Sequence, residues 1–258
     1  DKVTVGILVT ATHSALDNAK EGFVEALKAN GYEDAEFIVK NPEGDTTTMN
    51  SMATELVRKS DIVLGIGTPA AVALQSARDA EEIDITVLFT AVTDPVSAGL
   101  MADPSKPTDI TGTNDMNPVA EQVDLILELA PGIKKIGVLY NVAETNSQIQ
   151  AEMVKAQAAI KGVAVVVKTV QAAGEISTAT TALIQTEGVE AIYLPTDNLI
   201  AANMPAVASV ADELGVELGA DETSRNNGRV GGNITRNLVN KGKQGLDMNN
   251  MKYEFADE

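Results

Sequence analysis

The sequence predicts an α/β protein of two lobes, each a Rossmann-like parallel sheet covered by helices, with crossover strands joining the lobes. Two observations predict this fold class. Short apolar, strand-like runs alternate along the chain with segments whose apolar residues have helical spacing. This alternation breaks at a polar segment near the middle and then starts again. At 258 residues, the chain is long enough for each lobe to bury its own core.

In the first half, apolar runs predict strands and amphipathic segments predict helices. The predicted order is strand 3–9, helix 14–30, strand 36–39, helix 46–59, strand 62–66, helix 69–80 and strand 85–89. Gly31 follows the first helix and is a suitable C-terminal stop. Strands that are apolar almost throughout indicate a parallel sheet with helices on both faces.

The second half repeats this pattern. The predicted order is strand 133–140, helix 146–161, strand 163–167, helix 176–187, strand 191–194 and helix 199–214. Residues 136–139 correspond to the first strand at 5–8, and residues 193–196 correspond to the strand and turn at 65–68. In each pair, the second segment follows the first by nearly the same number of residues, as expected of duplicated lobes.

Two polar segments are predicted to connect the lobes. Residues 103–118 are rich in Pro, Asp, Thr and Asn, and residues 221–233 are polar and rich in Gly. We therefore expect one lobe to comprise residues 1–114 together with a returning segment, 226–258, and the other to comprise residues 115–225.

Composition excludes several classes of function. The net charge of −18 disfavours binding to phosphate backbones and anionic lipids, so we expect no nucleic-acid partner. The chain has no cysteine and a single histidine, His13, which rules out thiol chemistry and the common zinc motifs. We expect no cofactor and no metal.

Catalytic motifs are also lacking. Gly65-Ile66-Gly67 resembles the start of a dinucleotide fingerprint, but its third glycine is missing. There is no Gly-x-Ser-x-Gly nucleophile elbow. We predict a binding protein rather than an enzyme. An α/β enzyme acting on a small metabolite remains an alternative.

Small polar residues follow the predicted strands, where ligands gather in open parallel sheets. Ser14, Thr68, Asn146 and Asn198 stand at positions predicted to be helix N-caps. Such helix starts attract carboxylates. Three acidic residues, Asp94, Asp197 and Asp221, suit an ammonium group. A cleft with both features would suit an amino acid, although each residue also fits an ordinary cap or turn.

Several segments resemble the solute-binding proteins of ATP-driven importers, in the family associated with tryptophan and tyrosine uptake. The matching segments are His13–Asp17 with Glu21–Phe23, Ile66–Ala71, Thr93–Val96 with Ala98–Leu100, Ile136–Asn141 with Glu144 and Asn146–Ser147, and Leu194–Asn198. The similarity extends from residue 1 to about residue 250.

The resemblance implies a type I periplasmic-binding fold that closes over a small solute, typically tryptophan, tyrosine or phenylalanine. It implies that Thr68 and the amides after it, with Asn146 and Ser147, bind a carboxylate, and that Asp197 binds the ammonium group. The expected ligand contacts are His13, Thr68, Pro69, Ala70, Thr93, Asp94, Tyr140, Asn146, Ser147, Thr196, Asp197 and Asp221.

Membership would also imply an extracytoplasmic monomer, exported with a cleaved signal or a lipid anchor, and partnered by a membrane permease and an ATPase. The numbering begins at Asp1, which we interpret as a trimmed start without the signal segment. A ligand-sensing domain of the same fold remains a second alternative. Because the chain has four Phe, four Tyr and no Trp, a different solute is also open.

Overall fold

The computed structural model describes residues 2–106 and 108–214 as an α/β fold with two parallel sheets. The predicted fold class is confirmed. The expected return segments 221–233 and 226–258 lie outside the described residues. No helix in the described ranges is long and apolar enough to span a membrane.

The first sheet has five parallel strands in the order β2-β1-β3-β4-β5. Its elements are β1 (Thr4–Val9), α1 (Ser14–Ala29), β2 (Glu36–Lys40), α2 (Thr46–Lys59), β3 (Ile62–Ile66), α3 (Thr68–Glu81), β4 (Thr86–Val92) and β5 (Ile110–Asn114).

Alternate side chains of β1 enter different cores, because successive residues of a strand face opposite sides of the sheet. Val5, Ile7 and Val9 pack with Leu16 of α1. Leu8 instead belongs to the core formed with α2 and α3. The helices therefore cover both faces, and the apolar run of β1 results from burial on both sides.

Within the described residues, the second sheet has three parallel strands in the order β7-β6-β8, the same arrangement as β2-β1-β3. Its elements are α4 (Val119–Leu129), β6 (Lys135–Asn141), α5 (Thr145–Ile160), β7 (Ala164–Val170), a 3₁₀ turn (Ala173–Glu175), α6 (Ile176–Thr181) continued by a π turn (Ala182–Thr186), β8 (Ala191–Tyr193), α7 (Asn198–Ala202) and α8 (Met204–Leu214).

The second sheet is also covered on both faces. Ile136, Val138 and Tyr140 pack against α4 and α5, whereas Leu139 packs with α6, α7 and α8. The internal repeat seen in the sequence therefore corresponds to two sheets that share a strand order and a two-sided helical cover.

Three predictions about elements were wrong. The segment 103–118, predicted as a linker, contains β5, which pairs with β4. The predicted helix 199–214 is divided between α7 and α8 at Asn203. The N-caps are His13, Gly67, Glu144 and Asp197, each one or two residues before the predicted position.

Candidate functional site: a cavity between the two sheets

A cavity of about 780 Å³ lies where the carboxyl ends of strands from both sheets meet the starts of the following helices. The first sheet and the segment after it contribute His13, Ser14, Ala15, Leu16, Gly67, Thr68, Thr90, Ala91, Thr93, Thr113, Asn114, Asp115, Asn117 and Gln122. The second contributes Asn146, Leu194, Pro195, Thr196, Asp197, Asn198, Ile200, Ala201 and Met204. The volume is typical of small-molecule sites.

The start of α3 presents unpaired donors to the cavity. Gly67 caps the helix with φ of 93°, and a Cβ there would come within 2.5 Å of Thr10 Oγ1, so glycine is required. Thr68 is 3% exposed, and its Oγ1 has no partner in the described part of the chain. An unpaired buried hydroxyl beside a helix N-terminus is suited to an anionic ligand group.

The start of α1 lies at the same wall. His13 Nδ1 accepts a hydrogen bond from the Ala15 N–H at 3.2 Å. In the neutral tautomer this leaves the proton on Nε2, so the imidazole is a second donor at the cavity. The loop before it is held by Glu43, whose carboxylate accepts from the Thr12 hydroxyl and the Thr12 N–H.

On the opposite wall, α5 holds the loop between β8 and α7. Asn146 Nδ2 and Ser147 Oγ both donate to the carbonyl oxygen of Thr196, each at 2.8 Å. Gln150 accepts from the Thr196 N–H and donates to Thr196 Oγ1, both at 3.0 Å. These bonds fix the loop, and Asn146 Oδ1 is left buried without a partner among the described residues.

Two buried carboxylates cap α7. Glu144 accepts from the Asn198 N–H at 2.7 Å, and Asp197 accepts from the Ile200 N–H at 2.9 Å. Asp197 also accepts from the Asn141 N–H and from Ser147 Oγ. Burial, and then the nearby charge of Asp197, raise the pKa of Glu144 to about 8, and burial raises the pKa of Asp197. The pair therefore favours holding a proton at neutral pH.

The segment after β5 crosses beside the cavity. Asn117 Nδ2 donates to Thr196 Oγ1 at 2.7 Å, which joins this segment to the second lobe. Asp115 lines the cavity and has no side-chain partner from another residue in the described ranges. Partial burial raises the pKa of Asp115. Its carboxylate is consequently open to a cationic ligand group.

Of the twelve predicted contacts, six line the cavity: His13, Thr68, Thr93, Asn146, Thr196 and Asp197. Pro69, Ala70, Asp94, Tyr140 and Ser147 do not line it, and Asp221 lies outside the described residues. The assignment of all twelve as ligand contacts stays a prediction.

The residues away from the cavity have other surroundings. Tyr140 packs in the core against α4 and α5. Asp94 closes a turn by accepting from the Ser97 hydroxyl and the Ser97 and Val96 N–H groups, and these bonds lower the pKa of its carboxyl. Pro69 and Ala70 continue the helix that begins at Thr68.

Sequence reasoning missed four polar lining residues at or after the end of β5: Asn114, which ends the strand, Asp115 and Asn117, which follow it, and Gln122 in α4. The signal was present, because Ile110–Asn114 is followed by the same type of small polar residues that marked the other strand ends. Phe89 is buried in the core with α2 and α3.

The described lining contains no Lys, Arg, Phe, Tyr or Trp. Its apolar part comes from aliphatic residues and Met204. In the described ranges no group of acidic or histidine side chains could hold a metal ion. Two parallel α/β lobes with a polar cavity between their strand ends define a solute-binding protein.

A family model described as ABC transporter substrate binding protein matches residues 4–251. The chain belongs to this family. The tyrosine-binding protein of Clostridioides difficile (strain R20291) is 38% identical over 223 residues, which is 84% of this chain and 63% of that protein. The chain thus spans less than two thirds of the length of this relative.

A separate, short similarity is to small, acid-soluble spore protein 1 of Halobacillus halophilus. It is 60% identical over 35 residues, which cover 14% of this chain and 49% of that protein. The match is too short to define a function for the chain.

Among solved structures, the ABC domain from Streptococcus pneumonia in complex with L-Trp has a TM-score of 0.77 at 36% identity. The ligand-free, open structure of a substrate-binding protein with adhesive properties from Clostridium difficile has a TM-score of 0.56, also at 36% identity. Both matches cover 84% of this chain and 73% of the other.

A periplasmic binding protein type 1 from Bordetella pertussis Tohama I has a TM-score of 0.62 at 15% identity. The match covers 84% of this chain and 62% of the other. This likeness shows the fold alone. It identifies the two-lobed architecture as the type I periplasmic-binding fold.

Proposed function

We propose that the protein is the extracytoplasmic binding component of an ABC importer and that it closes over an aromatic amino acid, without catalysis. The observation that carries this proposal is a pair of unpaired polar atoms on opposite walls of one cavity. Thr68 Oγ1 and Asn146 Oδ1 are both buried and lack partners among the described residues. A buried polar atom without a partner costs about 1–3 kcal/mol, and a ligand that bonds to both would remove that cost.

The charges at the cavity fit a zwitterion. The start of α3 offers the positive end of the helix dipole and the unpaired Thr68 hydroxyl for a carboxylate, although the Ala70 N–H already donates to Thr10 Oγ1. Asp115 and Asp197 offer negative charge for an ammonium group. Since no Lys or Arg lies in the described lining, the carboxylate would be bound by neutral donors.

The apolar part of the cavity fits a side chain without charge. Leu16, Leu194, Ile200 and Met204 form aliphatic and thioether surface. A ring could pack on this surface, and methionine sulfur makes favourable contacts with aromatic rings. The names of the two relatives, one a tyrosine-binding protein and one a complex with L-Trp, support the aromatic class.

The ligand would act through closure of the lobes. At equal identity and coverage, the chain is more similar to the complex with L-Trp than to the ligand-free, open structure. This supports a closed arrangement of the described lobes. A ligand that contacts both walls stabilises the closed arrangement to the extent that its contacts are stronger there than in the open arrangement.

The proposal extends to partners and site. The importer would supply a membrane permease and an ATPase, and the binding protein would act as a monomer at an extracytoplasmic location. We retain the division into a lobe of residues 1–114 with 226–258 and a lobe of residues 115–225. The six predicted residues that line the cavity, together with Asp115, are the proposed ligand contacts.

A thermal-shift screen tests this function. The purified protein is heated with each of the twenty amino acids, and with sugars and nucleosides as controls. At a ligand concentration near 100 times Kd, binding adds about 2.7 kcal/mol of stability and raises the midpoint. A rise selective for tryptophan, tyrosine or phenylalanine supports the proposal, and a rise confined to sugars or nucleosides would refute it.

A further inference from the structure

Asn146 lines the cavity, and one of its side-chain atoms is unpaired. Its Nδ2 donates to the carbonyl oxygen of Thr196 at 2.8 Å and lies 3.5 Å from a carboxylate oxygen of Glu144. Its Oδ1 has no partner in the described part of the chain, and the residue is 3% exposed. The free atom is therefore a hydrogen-bond acceptor.

The carbonyl oxygen of Thr196 fixes this orientation. If the amide were rotated by half a turn, Oδ1 would face this carbonyl oxygen, and the hydrogen bond at 2.8 Å would be lost. Because a carbonyl oxygen only accepts hydrogen bonds, only Nδ2 can satisfy it. Asn146 thus offers Oδ1 as its free acceptor.

The helix start on the same wall is equally unsuited to an anion. The N–H groups of Asn198 and Ile200 already donate to Glu144 and Asp197. By contrast, the N-cap of α3 on the other wall is Gly67, which has no side chain, and only a long bond from the Ala70 N–H to Thr10 Oγ1 at 3.4 Å reaches this helix start. Its Thr68 hydroxyl is unpaired among the described residues. The second lobe therefore favours a ligand donor, and the first lobe favours a ligand anion.

We propose that Asn146 recognises the amino group of the ligand: Oδ1 accepts one of its N–H groups while the ligand carboxylate lies at the start of α3. This inference rests on the proposed binding of an aromatic amino acid. It reverses the role that family resemblance implies for Asn146, that of a carboxylate binder.

Three ligands and one variant test the proposal. The ligands are L-tyrosine, tyramine, which lacks the carboxylate, and 3-(4-hydroxyphenyl)propanoate, which lacks the amino group. Calorimetric titration compares the unmodified protein with Asn146→Leu. We expect the variant to weaken the binding of L-tyrosine and of tyramine by about tenfold or more, since a buried acceptor is lost. The affinity for the propanoate should not change.

Thr68→Val is the matched variant on the other wall. It should weaken the binding of L-tyrosine and of the propanoate and leave the binding of tyramine unaffected. This selectivity is the opposite of the one expected for Asn146→Leu. If Asn146→Leu instead weakens the binding of the propanoate and leaves the binding of tyramine unchanged, Asn146 binds the ligand carboxylate and the proposal is overturned.

Two further results separate the possible failures. If Asn146→Leu does not fold, a crystal structure of the unmodified protein with L-tyrosine decides. The ligand nitrogen within hydrogen-bonding distance of Asn146 Oδ1 supports the proposal, and a carboxylate oxygen there overturns it. If the unmodified protein binds neither L-tyrosine nor L-tryptophan, the proposed function fails first, and this inference fails with it.

Discussion

The carboxylates of Glu144 and Asp197 cap the same short helix, through the Asn198 N–H at 2.7 Å and the Ile200 N–H at 2.9 Å. Both side chains are buried, with 4% and 3% exposure. Two carboxylates so close cannot easily both ionise. They also occupy the helix N-terminus that would otherwise attract a ligand carboxylate. This pair makes the second wall of the cavity distinct from the first.

Glu144 should make stability decrease as pH rises from about 5 to 8. Its pKa in the folded protein is about 8, against 4.5 as its ordinary value, so the folded state binds a proton that the unfolded state releases. The stabilisation is full below the ordinary pKa and is lost as pH rises through the folded value, at up to about 1.4 kcal/mol per pH unit. Urea unfolding of the unmodified protein and Glu144→Gln across this range measures the difference.

Glu144→Gln should flatten this dependence, because its side chain stays neutral at every pH. Many other carboxylates titrate as well, so the comparison between the two proteins isolates Glu144. A difference in unfolding free energy that stays constant from pH 5 to 8 would show that Glu144 titrates normally.

Asp197→Ala should lower both stability and affinity. The carboxylate accepts from the Ile200 and Asn141 N–H groups, and its loss leaves these donors unpaired at about 1–3 kcal/mol. Ser147 Oγ keeps the Thr196 carbonyl oxygen as its acceptor. We expect binding of an aromatic amino acid to weaken at least tenfold, about 1.4 kcal/mol. Urea unfolding and calorimetric titration measure the two effects. A folded variant of unchanged affinity would remove Asp197 from the site.

Gly112→Ala should be strongly destabilising. A Cβ at Gly112 would lie 1.9 Å from the carbonyl oxygen of Phe89 on the neighbouring strand, so β5 would have to move away from β4. Gly22→Ala in α1 is the control, because a Cβ there meets nothing within 4 Å. Alanine favours helices over glycine by about 1 kcal/mol, so the control should be stabilised. Equal thermal midpoints for the two variants would contradict the pairing of β4 with β5.

Ala91→Gly should stabilise the fold by up to about 1 kcal/mol. Ala91 lines the cavity with φ of 53°, at the irregularity in register between β4 and β5. This left-handed conformation strains a residue with a Cβ but not glycine. Ala19→Gly, inside α1, should instead lose about 1 kcal/mol. Thermal unfolding compares the stabilities of the two variants. A loss of stability at both positions would contradict backbone strain at Ala91.

The sequence predicted the strands that are buried on both faces, because their apolar runs are unambiguous, as in β1 and β3. It failed at β5, whose sequence ITGTN is mostly exposed and polar at the edge of the sheet. It also passed over α4, although Val119, Val123 and Ile126 recur at helical spacing and pack into the second lobe. The edge strand β2 was predicted because its sequence EFIVK keeps an apolar run, which β5 lacks.

Several of the positions predicted after strands line the cavity, but the role of each side chain depends on its hydrogen-bond geometry. Asn146 lines the cavity, yet only its bond to Thr196 shows that its free atom is an acceptor. Asp115 was missed because it follows β5. Hydrogen-bond orientation arises from tertiary contacts that no periodicity in the sequence encodes.

Calorimetric titration of L-tyrosine and L-tryptophan into the full chain at neutral pH is the most direct test of the proposed site. We expect saturable binding of one molecule per chain, weakened at least tenfold by Thr68→Val. Binding of neither amino acid, or binding that Thr68→Val and Asn146→Leu both leave unchanged, would contradict the assignment of this cavity as an aromatic amino acid site.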